Sequence, residues 1–206
     1  MKLSILIPTT YDRAELTKRL ADQFKSQIVF NNTSQTDYGN SIMLERFYND
    51  EIEMLLLWDI KGYQSIGGKR NQLLYDSIGD FVAFVDSDDR VSDTYVALLM
   101  EGIEKGVDCC SLRGIITDDG NNPQVFEHSI KYNSYKTNPE GYEVRYERFP
   151  NHLNCIKASI AKQFIFPEKN HGEDTDWAMQ LYKSGLIKTE HYIPEVIYFY
   201  DYISNK

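Results

Sequence analysis

Three carboxylates follow an apolar run near the middle of the chain, at Asp86, Asp88 and Asp89. In open α/β sheets, ligands bind beyond the carboxyl ends of the strands. Asp86 and Asp88 can both present oxygens to one hard cation, and Mg²⁺ or Mn²⁺ completed by diphosphate oxygens suits such ligands. The alternative is an acidic turn in which Asp89 or Ser92 caps the next helix. A turn needs one acidic residue rather than three, so we predict a metal site held by Asp86 and Asp88.

A single carboxylate, Asp59, follows a second apolar run over residues 52–58. If both runs are strands of one sheet, Asp59 and Asp86 lie at the same edge of it. A carboxylate at that edge can accept a hydrogen bond from a nucleobase N–H. The alternative is a plain turn residue before Gly62.

Small residues and two cations form the segment SIGGKRN over residues 65–71. The GxxxxGK[ST] spacing of a phosphate-binding loop is missing. Backbone N–H groups at a helix start, together with Lys69 and Arg70, can still bind a phosphate or a nucleobase edge. A glycine turn with solvated cations is the alternative.

The segment HGEDTDW over residues 171–177 is acidic and is typical of a helix start, because carboxylates in a first turn oppose the helix dipole. The functional interpretation is that Asp174, with Glu173 beside it, deprotonates an acceptor hydroxyl. Both interpretations place these carboxylates in the first turn of a helix.

The remaining reactive side chains support neither zinc nor acyl-enzyme chemistry. The four histidines show no HxxxH or HExxH spacing. The chain has no GxSxG elbow. Three residues are assigned to the acceptor side of the site: His152, His171 and Trp177.

The elements that must position these residues alternate between short apolar runs and helix-period runs, as in βαβ units. Nearly unbroken apolar runs at residues 3–7, 52–58 and 81–85 predict strands that are covered on both faces. Apolar residues every four positions from Leu16 to Ile28 predict a helix that begins after Arg13 and ends at the polar segment 31–40.

Further helices are predicted over residues 69–78, from the N-cap Ser92 to Gly106, and over 173–184 with Gly185 as the stop. The segment 118–123 predicts a turn, and residues 125–148 predict an irregular, partly antiparallel region. Acceptor choice is expected to depend largely on residues 121–154. Residues 191–200 are predicted to form a closing strand.

No linker rich in Pro, Gly or Ser divides the chain. We therefore expect one domain over residues 1–206. Its predicted halves are a donor-binding half (1–116) and an acceptor and base half (117–206).

Composition narrows the class of protein. Lys and Arg number 22 against 31 Asp and Glu, and the net charge of −9 disfavours a broad nucleic-acid surface. No run approaches the roughly 18 apolar residues of a membrane span, and the first residues do not form a secretory signal. Three cysteines without CxxC spacing favour a reducing cytoplasm.

Taken in order, the motifs resemble a family 2 glycosyltransferase of the GT-A fold. They are LSILIPTTYDR at the start, the run that ends in Asp59, GGKRN, GDFVAFVDSDD and HGEDTDW. The resemblance spans about residues 1–185, and the compact form is similar to enzymes of phages and large viruses. It implies a Rossmann-like, mostly parallel central sheet with helices on both faces, and a smaller irregular or antiparallel acceptor half.

The resemblance also implies inverting transfer of a sugar from a nucleotide-diphospho-sugar to a hydroxyl, with Mn²⁺ or Mg²⁺ as cofactor. Asp174 matches the family's general base, with Glu173 beside it. The implied donor-side residues are Thr9 and Tyr11 beside the nucleoside, Asp59 and Arg70 against the base, Lys69 at the leaving diphosphate, and Asp86 and Asp88 around ribose, diphosphate and metal.

The acceptor stays open between a glycan, a small molecule and a modified nucleic acid. The expected location is the cytoplasm, which is the host cytoplasm if the protein is viral. Two other functions remain: a sugar-nucleotide nucleotidyltransferase, whose GxGxR-rich loop after the first strand is replaced here by PTTY, and a non-catalytic sugar- or nucleotide-binding protein of the same fold.

Overall fold

Along the first half of the chain, single helices separate groups of one to three strands in the computed structural model, which describes residues 1–202. Residues 203–206 of the predicted second half lie outside the described residues. The helices are α1 (Ala14–Gln27), α2 (Ile66–Asp76), α3 (Tyr95–Glu104), α4 (Ala158–Ala161) and α5 (Glu173–Ser184). The strands are β1 (Leu3–Pro8), β2 (Asn32–Gly39), β3 (Ile42–Tyr48), β4 (Ile52–Trp58), β5 (Phe81–Phe84), β6 (Arg90–Val91), β7 (Cys109–Cys110), β8 (Leu112–Asp118), β9 (Asn121–His128), β10 (Lys136–Thr137), β11 (Tyr146–Arg148), β12 (Ile156–Lys157), β13 (Glu190–His191) and β14 (Tyr198–Tyr202).

The central sheet has eight strands in the order β13-β7-β12-β5-β1-β4-β3-β2. Its centre is parallel: β1 pairs with β4 and with β5, and Leu3 lies opposite both Ile52 and Phe81. Every residue of β1 and β5 is buried, which is why these strands read as unbroken apolar runs. The flanking strands β2, β3 and β12 pair antiparallel with their neighbours. The predicted α/β class is confirmed, and the parallel pairs are those of the three central strands and that of β13 with β7 at one edge.

Helices cover both faces of this sheet, as predicted. Side chains that alternate along β1 enter two separate cores. Ile5 packs in the core that includes α1 and α3, whereas Leu6 packs in the core that includes α2, α4 and α5. Each large aliphatic side chain buried in this way contributes about 1.5–3 kcal/mol. Within residues 1–202 there is no helix with the length and hydropathy that crossing a bilayer requires.

A second sheet of six strands has the order β10-β11-β9-β8-β14-β6 and comes mainly from the second half of the chain. β8 and β9 form an antiparallel hairpin, and its turn places Asp119 and Gly120 at φ 48° and 76°. The predicted turn is present but shorter than 118–123, because Asp118 still belongs to β8 and residues 121–123 already belong to β9. β6 directly follows the acidic segment 86–89 and pairs with β14, so this segment leads straight into the second sheet.

Two helix starts differ from the prediction, whereas α5 has the predicted bounds, with Gly185 at φ 60° after its end. α2 begins at Ile66 rather than at residue 69, because the Ser65 side chain caps it by accepting a 3.0 Å hydrogen bond from the Gly68 N–H. α3 begins at Tyr95, so Ser92 is not its N-cap. The Ser92 N–H instead donates to the Ile197 carbonyl at 3.0 Å.

Two strand predictions were also wrong. The polar segment 31–40 contains β2, whose eight residues are all exposed and pair with β3. Polar residues on both faces of β2 leave no apolar alternation from which a strand is predicted. The closing strand over 191–200 is divided into β13 and β14, and Pro194 lies in the interruption.

Candidate active site at the carboxyl edge of the central sheet

The segments after β1 and β4 lie side by side at the carboxyl edge of the central sheet. The Thr9 N–H donates to the Leu57 carbonyl at 3.0 Å, and the Tyr11 N–H donates to the Asp59 carbonyl at 3.0 Å. The parallel pairing of β1 with β4 therefore continues beyond the strands themselves. β5 ends at the same edge, and the acidic segment 86–89 follows it.

A cavity of about 380 Å³ lies between this edge, the start of α5 and the second sheet. It brings together three residues that were predicted for different roles: Asp86, His152 and Asp174. The other lining residues are Asp89, Ile116, Phe126, His128, Tyr146, Arg148, Asn151, Leu153 and Tyr200.

Asp86 is held by a buried cation beneath the cavity. Arg70 Nη2 donates to Asp86 Oδ1 at 2.9 Å and to His152 Nε2 at 3.1 Å, and Arg70 Nη1 pairs with Glu173. The Arg70 side chain is 4% exposed, whereas that of Asp86 is 31% exposed. Burial acts to raise the pKa of Asp86, but the nearby Arg70 and His152 outweigh it, so the pKa lies below its ordinary value. Asp86 is therefore an ionised carboxylate that faces the cavity.

The same contacts revise two predicted roles. Arg70 lies beneath Asp86 and does not line the cavity, so it is not placed to read a nucleobase. Glu173 is also buried and points to Arg70.

Asp59 and Lys69 form a second buried ion pair and do not reach the cavity. Lys69 Nζ also donates to the Thr9 carbonyl at 3.0 Å, and the Gln64 N–H donates to Asp59 Oδ2 at 3.0 Å. Burial lowers the pKa of Lys69, although Asp59 favours its charged form. The structure therefore places both residues as anchors of the edge segments rather than as contacts for a base and a diphosphate.

The two predicted nucleoside neighbours differ in exposure. Thr9 is buried, and its hydroxyl lies 2.6 Å from that of Thr17. Tyr11 is 43% exposed and stacks on Trp58, with ring centroids 5.8 Å apart and an interplanar angle of 19°. The Tyr11–Trp58 pair leaves an aromatic surface at the carboxyl edge, and Trp58 had not been predicted as part of it.

The acidic segment is tied to the second sheet by one tyrosine. The Tyr198 hydroxyl donates to Asp89 Oδ2 at 2.6 Å and accepts from the Asp86 N–H at 3.3 Å. Burial, followed by the charge of Asp89, raises the pKa of Tyr198 well above its ordinary value. Asp88 lies beside Arg13, with Oδ1 3.4 Å from Nη1.

The two carboxylates predicted to hold a cation are Asp86 and Asp88. In residues 1–202, no group of three or more His, Cys, Asp or Glu side chains is arranged to hold a metal ion. Carboxylate oxygens suit Mg²⁺ or Mn²⁺, and such ions usually take further ligands from substrate phosphates and water. In the structure Asp86 pairs with Arg70, and Asp88 lies beside Arg13 and does not line the cavity.

Of the residues predicted for the site at the start of α5, only Asp174 lines the cavity. Gly172 precedes the helix with φ 74°, and Asp174 in the first turn lines the cavity. Trp177 is 1% exposed and stacks on Phe166 with centroids 4.8 Å apart. It belongs to the core and not to an acceptor surface. His171 is exposed but does not line the cavity either.

Sequence reasoning missed the wall that the second sheet contributes. His128, Tyr146, Arg148 and Tyr200 come from three different strands, and only Tyr146 and Arg148 are close in sequence. Burial, followed by the charges of His152 and Arg148, lowers the pKa of His128 to about 3. Burial, followed by the charges of Asp89 and Asp86, raises the pKa of Tyr200 to about 12. Both side chains are neutral at pH 7.

Comparisons with known proteins identify the family and the fold. A family model described as glycosyl transferase family 2 matches residues 4–164. A crystal structure of S. aureus TarS 1–349 in complex with UDP-GlcNAc superimposes with a TM-score of 0.57 at 13% identity, covering 100% of this chain and 60% of that one.

Two further TarS 1–349 structures give the same result. The structure described without a ligand has a TM-score of 0.54 at 16% identity, and the UDP complex has 0.54 at 15% identity. Each comparison covers 98% of this chain and 60% of that chain. At such identities the likeness shows the fold alone, which is the GT-A type. No curated protein sequence matches the chain.

Proposed function

The chain belongs to glycosyl transferase family 2, and from that premise we propose that it transfers a sugar from a nucleotide-diphospho-sugar to an acceptor hydroxyl with inversion. The observation that carries the proposal is the cavity that Asp86 and Asp174 line together at the carboxyl edge of the central sheet. TarS has been crystallised with UDP and with UDP-GlcNAc, which supports a donor of this class.

Asp174 is the proposed general base. Its carboxylate takes the proton of the acceptor hydroxyl while the hydroxyl oxygen forms a bond to the anomeric carbon of the sugar. The bond from that carbon to the diphosphate oxygen breaks, and the nucleoside diphosphate leaves with the electron pair. One displacement from the face opposite the leaving group inverts the anomeric carbon.

Asp86 and Asp88 are the proposed residues for a divalent cation, Mn²⁺ or Mg²⁺. A bound cation of this kind offsets negative charge on the diphosphate. Arg70 fixes one oxygen of Asp86 by the 2.9 Å hydrogen bond, which orients the carboxylate before any ligand arrives.

Arg70 also links the two sides of the reaction. It pairs with Asp86 after β5 and with Glu173 at the start of α5. Because Glu173 directly precedes Asp174, the buried cation holds the base at a fixed place relative to the donor side. We therefore propose that Arg70 and Glu173 are positioning residues.

The donor half of the proposal is tested by titrating the chain with UDP-GlcNAc and with GDP-, dTDP- and CMP-sugars. Each titration is done with Mn²⁺, with Mg²⁺ and with EDTA, and calorimetry and the melting temperature report binding. Because the acceptor is unknown, the chemistry is followed as slow hydrolysis of the donor, in which water replaces the acceptor and nucleoside diphosphate is released. We expect the sugar donor of one nucleotide to bind in a metal-dependent manner. The same donor should be hydrolysed slowly to the nucleoside diphosphate and the sugar. Binding of no donor under any condition would overturn the proposal.

A further inference from the structure

Arg148 is a cation built into the wall of the cavity. Its Nη1 donates to the Lys136 carbonyl at 2.7 Å and to the Glu147 carbonyl at 2.9 Å. The guanidinium carbon lies 4.8 Å from the Tyr135 ring centroid and 5.4 Å from that of Tyr146. Aromatic rings and two carbonyls therefore fix the orientation of the guanidinium group.

No carboxylate forms an ion pair with Arg148 in the part of the chain that the structure describes, and no hydrogen bond from its Nη2 or Nε is found there. Arg70, the other arginine near the cavity, pairs with both Asp86 and Glu173. Burial lowers the pKa of Arg148 from its ordinary value, although an arginine remains charged at pH 7. A partly desolvated cation without a protein anion is placed to bind an anionic ligand.

The cation and the proposed base face the same space. Arg148 and Asp174 both line the cavity. Tyr135 lies near both of them: burial and then the charge of Asp174 raise its pKa to about 12, while Arg148 acts in the opposite direction. One ligand can therefore place a hydroxyl at Asp174 and an anionic group at Arg148.

The position of Arg148 favours the acceptor over the donor as the source of this anion. A donor diphosphate lies beyond the carboxyl ends of the central strands, next to Asp86. Arg148 belongs to β11 of the second sheet. Phe126 of β9 and Tyr146 of β11 lie opposite each other and line the same cavity, and aromatic rings can pack against the apolar face of a sugar.

We propose that Arg148 recognises an oxyanion, a phosphate or a carboxylate, carried by the acceptor. The acceptor is then an anionic hydroxyl compound, such as a phosphorylated or carboxylated sugar or polyol. This inference rests on the proposed function of the cavity, because it takes Asp174 as the base that the acceptor approaches.

The test uses inorganic phosphate as the probe, with the enzyme already saturated with UDP and Mn²⁺. Under that condition the donor's phosphate positions are filled, so phosphate seen by calorimetry lies elsewhere. We expect Arg148→Gln to weaken phosphate binding by about tenfold or more, as loss of a charge-assisted hydrogen bond predicts. UDP affinity should stay within about twofold, because Arg148 does not contact the donor in this proposal. A parallel titration with acetate distinguishes a carboxylate from a phosphate.

Arg90→Gln is the matched control, because Arg90 also lies over an aromatic ring, at 5.7 Å from Phe199, but does not line the cavity. It should leave phosphate binding unchanged. Arg148→Lys keeps the charge and should retain most of the phosphate affinity even if the melting temperature falls.

Three outcomes would overturn the inference. Equal losses of UDP and phosphate affinity in Arg148→Gln would assign the arginine to the donor. Unchanged phosphate affinity in Arg148→Gln would show that the phosphate is an adventitious ion only, because it binds without the arginine. Equal losses in the Gln and Lys variants, together with equal falls in melting temperature, would show a purely structural role. If the wild-type chain does not bind UDP, the titration is repeated with the nucleoside diphosphate that the donor titrations identify. Failure to bind any of them would instead count against the proposed function, and the phosphate titration is then done without nucleotide.

Discussion

Arg70 binds two carboxylates that the sequence assigns to different roles. Asp86 was predicted on the donor and metal side, and Glu173 beside the base. The structure pairs both with one guanidinium group that is almost fully buried. A buried cation with two anions loses much of its stabilisation when one partner is removed, so these three residues act as a unit.

Asp174→Asn directly tests whether this residue is the general base. The amide keeps the size of the side chain but cannot accept the acceptor's proton. We expect the rate of transfer, or of sugar release to water, to fall by about 100- to 10,000-fold. Donor affinity measured by calorimetry should be nearly unchanged.

Asp176→Asn is its control. Asp176 lies in the same first turn of α5 but is exposed and pairs with Lys169 at 2.6 Å, outside the cavity. It should keep near-normal turnover. If the two variants behave alike, Asp174 is not the base.

Asp88→Asn tests the metal assignment. Removing the charge should weaken the Mn²⁺-dependent part of donor binding by about tenfold or more, because the amide is a poorer ligand for a hard cation. The measurement is the ratio of donor affinities with Mn²⁺ and with EDTA. Asp93→Asn, at an exposed position shortly after the same segment, is the control. The same ratio in Asp88→Asn as in the wild type would remove Asp88 from the metal site.

Residue types alone could not predict which polar groups turn inward. Asp59 and Lys69 have the types and spacing of ligand-binding residues, yet they neutralise each other in the interior. Whether Asp59 binds a ligand or pairs with Lys69 depends on how close the fold places the two side chains. That distance is set by the packing of α2 and is not encoded in the local sequence.

At the scale of elements, α2 packs closely on the segment that precedes α5. The Gly67 N–H donates to the Lys169 carbonyl at 3.3 Å, and the Ile66 N–H donates to Asn170 Oδ1 at 3.0 Å. A Cβ atom on Gly67 would overlap the Pro167 carbonyl oxygen. This close approach keeps Arg70 of α2 within reach of Glu173 of α5.

Gly67→Ala should therefore lower the free energy of unfolding by about 1–3 kcal/mol, the usual cost of overpacking. Gly68→Ala is the matched control, since its nearest neighbour would be Ser65 Oγ at 3.2 Å and alanine favours the helix. It should change the free energy of unfolding by less than about 1 kcal/mol. Urea denaturation measures both. Equal effects of the two substitutions would mean that α2 does not depend on this contact.

Elements with strong local signals were predicted well, and those without them were not. The run IEMLLLW gave the bounds of β4, and the acidic start with Gly185 gave those of α5. β2 was missed because its residues are polar on both faces, so only pairing with β3 makes it a strand. The wall of the cavity was missed because Arg148 and Tyr200 meet through the second sheet, far apart in sequence.

At the scale of the molecule, Tyr198 joins the two sheets. It belongs to β14 of the second sheet, and its hydroxyl bonds the segment that follows β5 of the central sheet. The side chain is fully buried, so its two hydrogen bonds are not exchanged with water.

Tyr198→Phe should lower the free energy of unfolding by about 1–3 kcal/mol, because a buried charged acceptor loses a donor. Tyr202→Phe, on the same strand but 51% exposed, should have no measurable effect. Chemical denaturation of both variants provides the comparison, with donor binding as a second readout. A Tyr198→Phe variant as stable as the wild type would show that the sheets are held together without this hydroxyl.

The place of β14 in its sheet has a consequence for biosynthesis. β14 lies between β8 and β6, which are separated from it by long stretches of chain, and Tyr200 on β14 lines the cavity. A nascent polypeptide still attached to the ribosome can assemble β1, β4 and β5 early, since a protein made from its N-terminus folds its earlier parts first. It cannot close the second sheet until Tyr202 has left the ribosome. Transfer activity should therefore arise only after β14 has emerged, when the donor side has already formed.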